Sequence, residues 1–374
     1  MKIKELIDQE NKEIVIQGFV DNIRNLQYVQ FVILRDKFDK VQITIEKEDE
    51  NNKELVKIID TLPLESTIKV TGKVVKNEKV KLNGLEIIPS KIEVTSTSDV
   101  ELPIDLKNKD NTLRETRLDY RYLDLRRVEN QLLFKCQSYI EQMMREYWYN
   151  NDYTEIHTPK ISASSAESGA EMFKLDYFGQ QACLSQSPQF YKQMTMASGF
   201  DKIFEIGPVF RAENSHTSYH ATEIEMIDVE ISWINSVEDV MKEEENWIKY
   251  FISKLKEKYN SDFVFITNFP YSARSFYVMK DEKGETQTYD LLFKGLEITS
   301  GAQREHRYDI LKKQIIEKGI EPSLLQFYLD FFKYGCPPHG GFGVGMGRIL
   351  MQIFEIDNIR EATLIYRGPT RLNP

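Results

Sequence analysis

Along the first hundred residues, apolar side chains fall in short runs that are typical of β-strands. The runs are rich in β-branched residues and are separated by polar or glycine-containing turns. In one run Val41, Ile43 and Ile45 alternate with two polar residues, which is the period of a half-buried strand. The predicted strands cover residues 14–20, 29–34, 41–45, 67–75 and 85–94, and residues 48–62 carry a helical pattern between the third and the fourth.

Five strands with a helix after the third follow the order of an OB-fold barrel, a module that often binds single-stranded nucleic acid. A small β-barrel with a purely structural role would give the same pattern, so both interpretations stay open on the pattern alone. Residues 103–128 carry many charges and little apolar periodicity, and we interpret them as an interdomain hinge. The predicted first domain is therefore residues 1–102.

A second domain is predicted for residues 129–374, beginning with a long amphipathic helix. Its apolar residues recur at steps of three and four along 133–147. Further strands are predicted at 202–208, 228–233, 263–268 and 288–294, and further helices at 237–258, 307–318 and 323–333. No regular helical crossover joins the strands, which favours a mainly antiparallel sheet with helices on one face. The fold class predicted for the whole chain is α+β.

Composition narrows the class of protein. The chain has 374 residues, of which 41% are hydrophobic and 29% charged, as in a globular protein. No run approaches eighteen apolar residues, and the first residues lack the apolar core of a secretion signal. Cys136, Cys183 and Cys336 lie far apart, which suits a reducing cytoplasm and offers no zinc spacing. The net charge of −10 argues against coating nucleic acid by bulk attraction, although local lysine and arginine clusters occur.

Two segments carry candidate chemistry on a nucleotide. Residues 207–213 contain Arg211 and Glu213, with His220 shortly after. A guanidinium binds two phosphate oxygens at once, Glu213 could accept from an adenine amino group, and His220 could reach outer phosphates. Residues 337–348 place closely spaced glycines before Arg348, and such glycines allow backbone to approach a ligand. Taken alone, the first segment is better explained by surface salt bridges, and the second is neither a P-loop nor a dinucleotide fingerprint.

Together, the two segments resemble motifs 2 and 3 of the class II aminoacyl-tRNA synthetases. The preceding helix with residues 156–159 resembles motif 1, whose proline, here Pro159, lies at the dimer interface of that family. Residues 184–193 and 295–304 are similar to signatures of aspartyl-tRNA synthetases of the archaeal and eukaryotic type. The resemblance spans about residues 14–374. It implies a homodimer that uses ATP and Mg²⁺ to activate L-aspartate and transfers it to tRNA, releasing AMP and diphosphate.

The resemblance also implies roles for individual residues. Lys192 and Arg304 would bind the side-chain carboxylate of aspartate, since two cations around a small acid would reject an amide. Gln189 and Glu167 would bind the backbone end of aspartate, and Glu167 lies in a loop that is expected to be mobile. ATP binding and catalysis would use Arg211, Glu213, His220, Glu297 and Arg348, and Mg²⁺ would be bound by Asp290, Glu297 and Ser300. The anticodon would be bound by Arg24, Phe31, Gln42 and Glu86.

Three departures from the family pattern accompany this resemblance. Gly347 stands where glutamate is usual, and Ile224 replaces the phenylalanine that stacks on adenine. The chain is also short between residues 233 and 263, where relatives carry an insertion. Asp21 stands where relatives restricted to tRNA-Asp hold tryptophan, so an enzyme that charges both tRNA-Asp and tRNA-Asn is predicted, with a mobile loop at residues 79–84. The alternatives are an asparaginyl-tRNA synthetase, an asparagine synthetase-like paralogue and a non-catalytic tRNA-binding paralogue.

Overall fold

The computed structural model describes residues 1–37, 39–163, 171–255 and 263–373. Two compact units divide the chain, Met1–Pro103 and Ile104–Pro374. Among the described residues, no helix is long and apolar enough to cross a membrane. The first unit ends one residue beyond the first domain predicted from the sequence, residues 1–102, and residues 104–128 of the predicted hinge belong to the second unit.

The first unit is a closed five-stranded barrel, in agreement with the predicted OB fold. The strands follow the order β1-β2-β3-β5-β4 around the barrel, and only β3 and β5 pair in parallel. Apolar residues on alternate positions fill its interior, including Val32, Ile43 and Val70, each fully buried. The elements are β1 Glu13–Asn25, β2 Val29–Arg35, β3 Lys40–Glu46, α1 Lys53–Asp60, β4 Thr67–Lys76 and β5 Leu85–Ser96.

The second unit is built on a seven-stranded sheet with the order β12-β13-β14-β15-β11-β10-β6, in which only β10 and β6 pair in parallel. A separate three-stranded sheet has the order β7-β9-β8. The elements are α2 Arg114–Asp119, α3 Arg121–Asp124, α4 Val128–Tyr149, β6 Thr154–Glu155, β7 Ile161–Ser162, β8 Lys174–Tyr177, β9 Gln180–Leu184, α5 Gln189–Ala197, β10 Lys202–Phe210, β11 Glu223–Ser232, α6 Val237–Leu255, β12 Phe263–Thr267, β13 Thr288–Phe293, β14 Leu296–Gln303, α7 Tyr308–Glu317, α8 Gln326–Lys333, β15 His339–Gly345 and α9 Met346–Phe354.

The large core of this unit lies between the sheet and helices α4, α6 and α9. Trp148 of α4 stacks on Trp247 of α6, with ring centroids 5.9 Å apart, and Trp247 also packs against Phe342 of β15. A mainly antiparallel sheet flanked by helices was predicted, and the structure confirms it. The opposite face of the central strands is left to polar side chains.

Residues 104–128 differ from the prediction because their charges are used inside the second unit. Arg121 is buried and donates from Nε to the carbonyl of Leu364 at 3.0 Å. Arg117 donates to Glu361 Oε1 at 2.6 Å. A hinge was inferred from high charge and low apolar periodicity, but these arginines are held by partners more than 240 residues away in sequence. The segment is therefore part of the second unit's packing.

Strand β15 was not among the strands predicted from the sequence, in which its residues stood out only as closely spaced glycines. It pairs with β11 on one side and β14 on the other, so it is a central strand. A Cβ on Gly341 would overlap the carbonyl oxygen of Val229 and the carboxylate of Glu230. Glycine is required there because a neighbouring side chain occupies the space above the strand.

Candidate active site

A cavity of about 490 Å³ opens over the polar face of the seven-stranded sheet. Strands β11, β13, β14 and β15, helices α5 and α9, and residues 211–221 and 273–278 contribute its walls. The structure brings nine of the sequence-predicted residues together around it: Gln189, Lys192, Arg211, Glu213, His220, Glu297, Ser300, Arg304 and Arg348. Asp290 lies beside it, directly opposite Ser300 in the β13–β14 pairing. Glu167 lies outside the described residues.

One end of the cavity holds a buried cluster of two cations and two acids. Lys192 projects from α5, and its Nζ lies 3.0 Å from Asp228 Oδ1 and 3.1 Å from Glu230 Oε2. Arg304 donates from Nε to Glu230 Oε1 at 3.0 Å and from Nη2 to Gly341 O at 3.0 Å. Lys192 is only 1% exposed and Glu230 is fully buried. A cluster this dry is stable only because each charge has a partner.

The charge states in this cluster follow from its pairing. Burial alone would raise the pKa of Glu230, but Arg304 and Lys192 outweigh burial and hold it at about 2. Burial also disfavours the Lys192 ammonium, yet Asp228 and Glu230 raise its pKa above the ordinary value. Glu230 and Lys192 are therefore both charged at neutral pH, and the cluster sets two cations against two acids. Sequence reasoning named the cations but missed both acids.

Helix α5 is tied to the sheet by a second buried network beneath this cluster. His339 Nδ1 lies 2.8 Å from the carbonyl of Pro337, so Nδ1 carries the proton and Nε2 accepts from Gln193 Nε2 at 3.0 Å. Tyr328 donates to Gln193 Oε1 at 2.8 Å. Burial lowers the pKa of His339 to about 4, so the ring is neutral at pH 7. Gln193 adjoins Lys192, and this network therefore fixes where that lysine enters the cavity.

Gln189 and Arg211 have unused hydrogen-bonding groups at the cavity wall. The Nε2 atom of Gln189 is buried and has no hydrogen-bond partner among the described residues. Arg211 is half-buried at the end of β10, and no hydrogen bond or ion pair joins its guanidinium to any residue that the structure describes. Buried polar groups are normally paired, so an unpaired amide facing a cavity indicates a bound ligand.

Glu213 and His220 lie on the opposite, more open side of the cavity. Their Oε2 and Nε2 atoms are 4.0 Å apart, and both side chains are about two-fifths exposed. His220 Nδ1 forms a hydrogen bond with the hydroxyl of Thr217. These groups are accessible to solvent and can change partners at low cost, as groups that contact a nucleotide must.

Two of the predicted magnesium ligands, Asp290 and Ser300, lie opposite each other on β13 and β14, and all three predicted ligands have a charged partner. Asp290 Oδ2 is 2.8 Å from Arg274 Nη2, and Ser300 Oγ accepts from Arg274 Nη1 at 3.2 Å. Glu297 Oε1 is 3.4 Å from Arg348 Nη1. Two carboxylates and a hydroxyl are the hard oxygen ligands that Mg²⁺ prefers. Asp290 Oδ1 is buried without a hydrogen-bond partner among the described residues, so the donor set fits a divalent ion.

Two of the departures noted in the sequence also line this cavity. Ile224 occupies its wall on β11, and Gly347 lies at the start of α9. A Cβ on Gly347 would lie 3.1 Å from two side-chain atoms of Ile359. A glutamate at position 347 would therefore require Ile359 to move, and the glycine matches the isoleucine that packs over it.

On the barrel, the structure brings together the four residues predicted to bind an anticodon. The β1–β2 pairing sets Arg24 opposite Phe31, and the guanidinium lies 5.2 Å from the ring centroid. Gln42 and Glu86 are opposite each other on β3 and β5, and Gln42 Nε2 donates to Glu86 Oε2 at 3.4 Å. Arg24 Nη2 lies 3.5 Å from Gln42 Oε1. An aromatic ring beside an arginine and paired hydrogen-bonding groups form a surface suited to bases.

The loop at residues 79–84, which was predicted to be mobile, makes contacts at its base and along its length. Asn77 N donates to Gly84 O at 2.9 Å and closes the base of the loop, and Val80 is buried. Asn83 Nδ2 donates to Asp39 Oδ2 at 2.9 Å. These contacts join the loop to the barrel.

Comparisons with known proteins agree with this geometry. The family "tRNA synthetases class II (D, K and N)" matches residues 113–261 and 255–366, and the family "OB-fold nucleic acid binding domain" matches residues 14–95. The aspartate–tRNA(Asp/Asn) ligase of Methanopyrus kandleri is 39% identical over 98% of this chain and 97% of its own length. The aspartate–tRNA(Asp) ligase of Pyrococcus furiosus is 38% identical over 97% and 96%. Asparaginyl-tRNA synthetase of Pyrococcus horikoshii, solved with asparaginyl-adenylate, has a TM-score of 0.92 and 27% identity, covering 100% of this chain and 99% of that one.

Proposed function

The chain belongs to the class II tRNA synthetases of the D, K and N group, and we propose that it joins L-aspartate to tRNA at the expense of ATP. Aspartate would attack the α-phosphate, releasing diphosphate, and the aspartyl group would then pass to tRNA with release of AMP. Relatives named aspartate–tRNA ligase match nearly the whole chain, which supports aspartate as the amino acid. The observation that carries the proposal is the buried pair of cations, Lys192 and Arg304, at the cavity wall.

These two cations favour an acid over an amide. Nη1 of Arg304 has no hydrogen bond to any described residue, while its Nε and Nη2 hold Glu230 and Gly341. The side-chain carboxylate of aspartate would bind this free edge and share the charge of Lys192. Asparagine has a similar shape, but its amide nitrogen would face N–H donors and leave them unpaired. The buried amide of Gln189 would bind the other end of the amino acid.

The nucleotide would extend from this end toward the open side of the cavity. The unpaired guanidinium of Arg211 would hold the α-phosphate, where charge builds up during attack, as a planar fork on two oxygens. Glu213 would accept from the adenine amino group, and His220 and Arg348 would contact the outer phosphates. All four groups line one cavity, which supports a single binding site for ATP.

Enzymes of this family use ATP with Mg²⁺, and we assign the ion to Asp290, Glu297 and Ser300. When bound, the ion would neutralise phosphate charge and orient the triphosphate. Asp290 and Ser300 are paired directly across β13 and β14, so the sheet places both oxygen ligands side by side on the same face. Glu297 adds a second carboxylate from the start of β14.

An exchange assay tests the proposal directly. ATP–pyrophosphate exchange is measured with aspartate and with asparagine, each with and without tRNA. We expect exchange with aspartate and at least a hundredfold less with asparagine. Exchange with asparagine alone would establish the asparaginyl alternative. Nucleotide-independent tRNA binding without any exchange would establish a non-catalytic tRNA-binding paralogue.

The barrel would read the anticodon. Phe31 would stack on the central base, Gln42 would hydrogen-bond to it, and Arg24 would contact the adjoining phosphate or base. Glu86 would accept from the amino group of the third base, cytosine in tRNA-Asp. Its carboxylate is held by Asn77 Nδ2 at 2.7 Å as well as by Gln42, so its position is set before tRNA binds.

A relaxed choice of tRNA, including tRNA-Asn, is the second candidate. Asp21, at the position where strict relatives hold tryptophan, is bound by Arg35 at 3.0 Å and Lys40 at 2.7 Å, and so offers no aromatic surface to a base. The relative in Methanopyrus kandleri is named for both tRNAs, whereas that in Pyrococcus furiosus is named for tRNA-Asp alone. Charging of the two purified tRNAs decides the matter. A preference for tRNA-Asp beyond about a hundredfold, or about 2.7 kcal/mol, would exclude the relaxed enzyme.

We also propose a homodimer built around Pro159. The proline is exposed on the single chain, between Thr158 and Lys160, which are both held by Glu205. The interface residue is thus available while its neighbours are fixed. Sedimentation at micromolar concentration should give twice the mass of one chain, and a monomer would contradict the proposal.

A further inference from the structure

Arg274 lies at the magnesium site without having been assigned any role. It follows the short helical turn Tyr271–Ala273 and lines the cavity. Its guanidinium carbon lies 3.8 Å from the centre of the Phe269 ring. On the other side, Nη2 is 2.8 Å from Asp290 Oδ2 and Nη1 donates to Ser300 Oγ at 3.2 Å. A positive charge therefore already lies against two of the three proposed ion ligands.

This contact is not arranged as a well-formed structural salt bridge. Nη2 of Arg274 lies 2.8 Å from Asp290 Oδ2 but forms no hydrogen bond with it, and this nitrogen is buried without a hydrogen-bond partner among the described residues. Asp290 Oδ1 is likewise buried and unpaired within the described part of the chain. Unpaired buried polar atoms are costly, and a pair kept only for stability would satisfy them. The arrangement is typical of a site that a ligand completes.

We infer that Arg274 is an internal counter-ion that takes the place of the divalent ion in the ligand-free enzyme, so that the ion binds strongly only together with ATP. The inference rests on the proposed function. A guanidinium and a divalent ion cannot share the same carboxylate oxygens at close range, because like charges repel. Arg274 leaves Asp290 when triphosphate oxygens, which a guanidinium binds in a two-point fork, become available in the same cavity.

The exchange couples the two ligands. ATP draws Arg274 away from Asp290 and Ser300 and thereby frees the oxygen ligands, so each ligand raises the affinity for the other. Phe269 keeps the guanidinium near the site in the absence of ATP, because its ring stacks against the planar group. Arg274 is thus a positioning residue that acts through the ion.

Mn²⁺ binding measured by electron paramagnetic resonance tests this without any turnover. The wild-type protein is titrated with Mn²⁺ alone and in the presence of α,β-methylene-ATP. Arg274→Gln should bind Mn²⁺ alone at least ten times more tightly than wild type, whereas Arg274→Lys, which keeps the charge, should stay near wild type. The matched control is Arg307→Gln, since Arg307 pairs with Glu305 at 2.8 Å and does not line the cavity. Asp290→Asn in the Arg274→Gln background should abolish the gain.

Phe269→Leu provides a second test if Arg274→Gln does not fold. The ring is only half-buried, so this variant is expected to fold, and loss of stacking should raise the affinity for Mn²⁺ alone by a smaller factor. Unchanged affinity for Mn²⁺ alone in Arg274→Gln, with normal binding beside the nucleotide analogue, would overturn the inference and leave the proposed function intact. Failure of wild type to bind Mn²⁺ even with the analogue would instead overturn the proposed ion site, and the inference with it.

Discussion

Replacing Lys192 by methionine should abolish aspartate activation and also destabilise the second unit. Methionine keeps most of the volume but removes the charge that faces Asp228 and Glu230 at 3.0 and 3.1 Å. Breaking a buried pair by removing one partner costs about 3–5 kcal/mol, because an uncompensated charge is left behind. At about 1.4 kcal/mol per tenfold, an equal loss in the transition state lowers kcat/KM for aspartate by roughly two to four decades.

The loss of activity must be separated from loss of folding. The same 3–5 kcal/mol should lower the unfolding midpoint by roughly 6–20 °C in a unit of this size. Lys192→Met combined with Asp228→Asn removes one charge of each sign and should restore most of that midpoint. Aspartate-dependent ATP–pyrophosphate exchange should stay low in the double variant, because the substrate carboxylate still lacks its second cation. Exchange within about fivefold of wild type, or about 1 kcal/mol, in the single variant would refute the reasoning.

Three further outcomes are expected. Ile224→Phe should tighten ATP binding by at most about 1 kcal/mol, the lower end of base stacking; unchanged ATP affinity would show a pocket rebuilt around isoleucine. Gly341→Ala should displace Glu230, costing about 1–3 kcal/mol in the free energy of unfolding and most aspartate-dependent exchange; wild-type exchange would contradict the steric overlap. Glu244 of α6 accepts hydrogen bonds from Tyr289 and Thr299, and burial raises its pKa to about 7 from 4.5. The protonated side chain therefore contributes to the free energy of unfolding below pH 4.5, and this contribution is lost as the pH rises through 7. From pH 5 to pH 8 the free energy of unfolding of wild type should fall by about 2–3 kcal/mol more than that of Glu244→Gln. The same pH dependence in both proteins, measured by denaturant unfolding at each pH, would refute this.

Periodicity predicted most of the fold because most elements bury one face. The helix predicted from residue 129 is α4, Val128–Tyr149, and the five barrel strands lie within a few residues of their predicted bounds. Strand β15 was not predicted, because its glycine-rich sequence reflects the side chains of the neighbouring strands rather than the burial of its own. The space above Gly341 is filled by Glu230 from β11, so the strand shows glycine where periodicity requires a side chain.

The site was predictable in part for a related reason. Lys192 and Arg304 stand in recognisable signatures, and both line the cavity. Their internal partner Glu230 is 74 residues from Arg304 in sequence and meets it only through the pairing of β11, β15 and β14. The approach of Arg274 to Asp290 likewise depends on how residues 269–278 pass over the sheet. The sequence shows which charged residues belong to the site, but the pairing register of the strands decides which of those charges are neutralised by a neighbouring side chain.

That neutralisation changes what the cavity attracts. In the ligand-free enzyme Lys192, Arg304, Arg274 and Arg348 each form an ion pair with an acid of the protein. Of the arginines and lysines that line the cavity, only Arg211 has a side chain without a partner among the described residues. A bare triphosphate would add several negative charges to a nearly neutral site, and each phosphate would compete with a carboxylate for its cation. A divalent ion at Asp290 and Glu297 would take over those two carboxylates and release Arg274 and Arg348 to the phosphates, so ATP and the ion would each raise the affinity for the other. The pairs to be exchanged are Arg274 with Asp290 and Arg348 with Glu297, whereas Lys192 and Arg304 keep their acids.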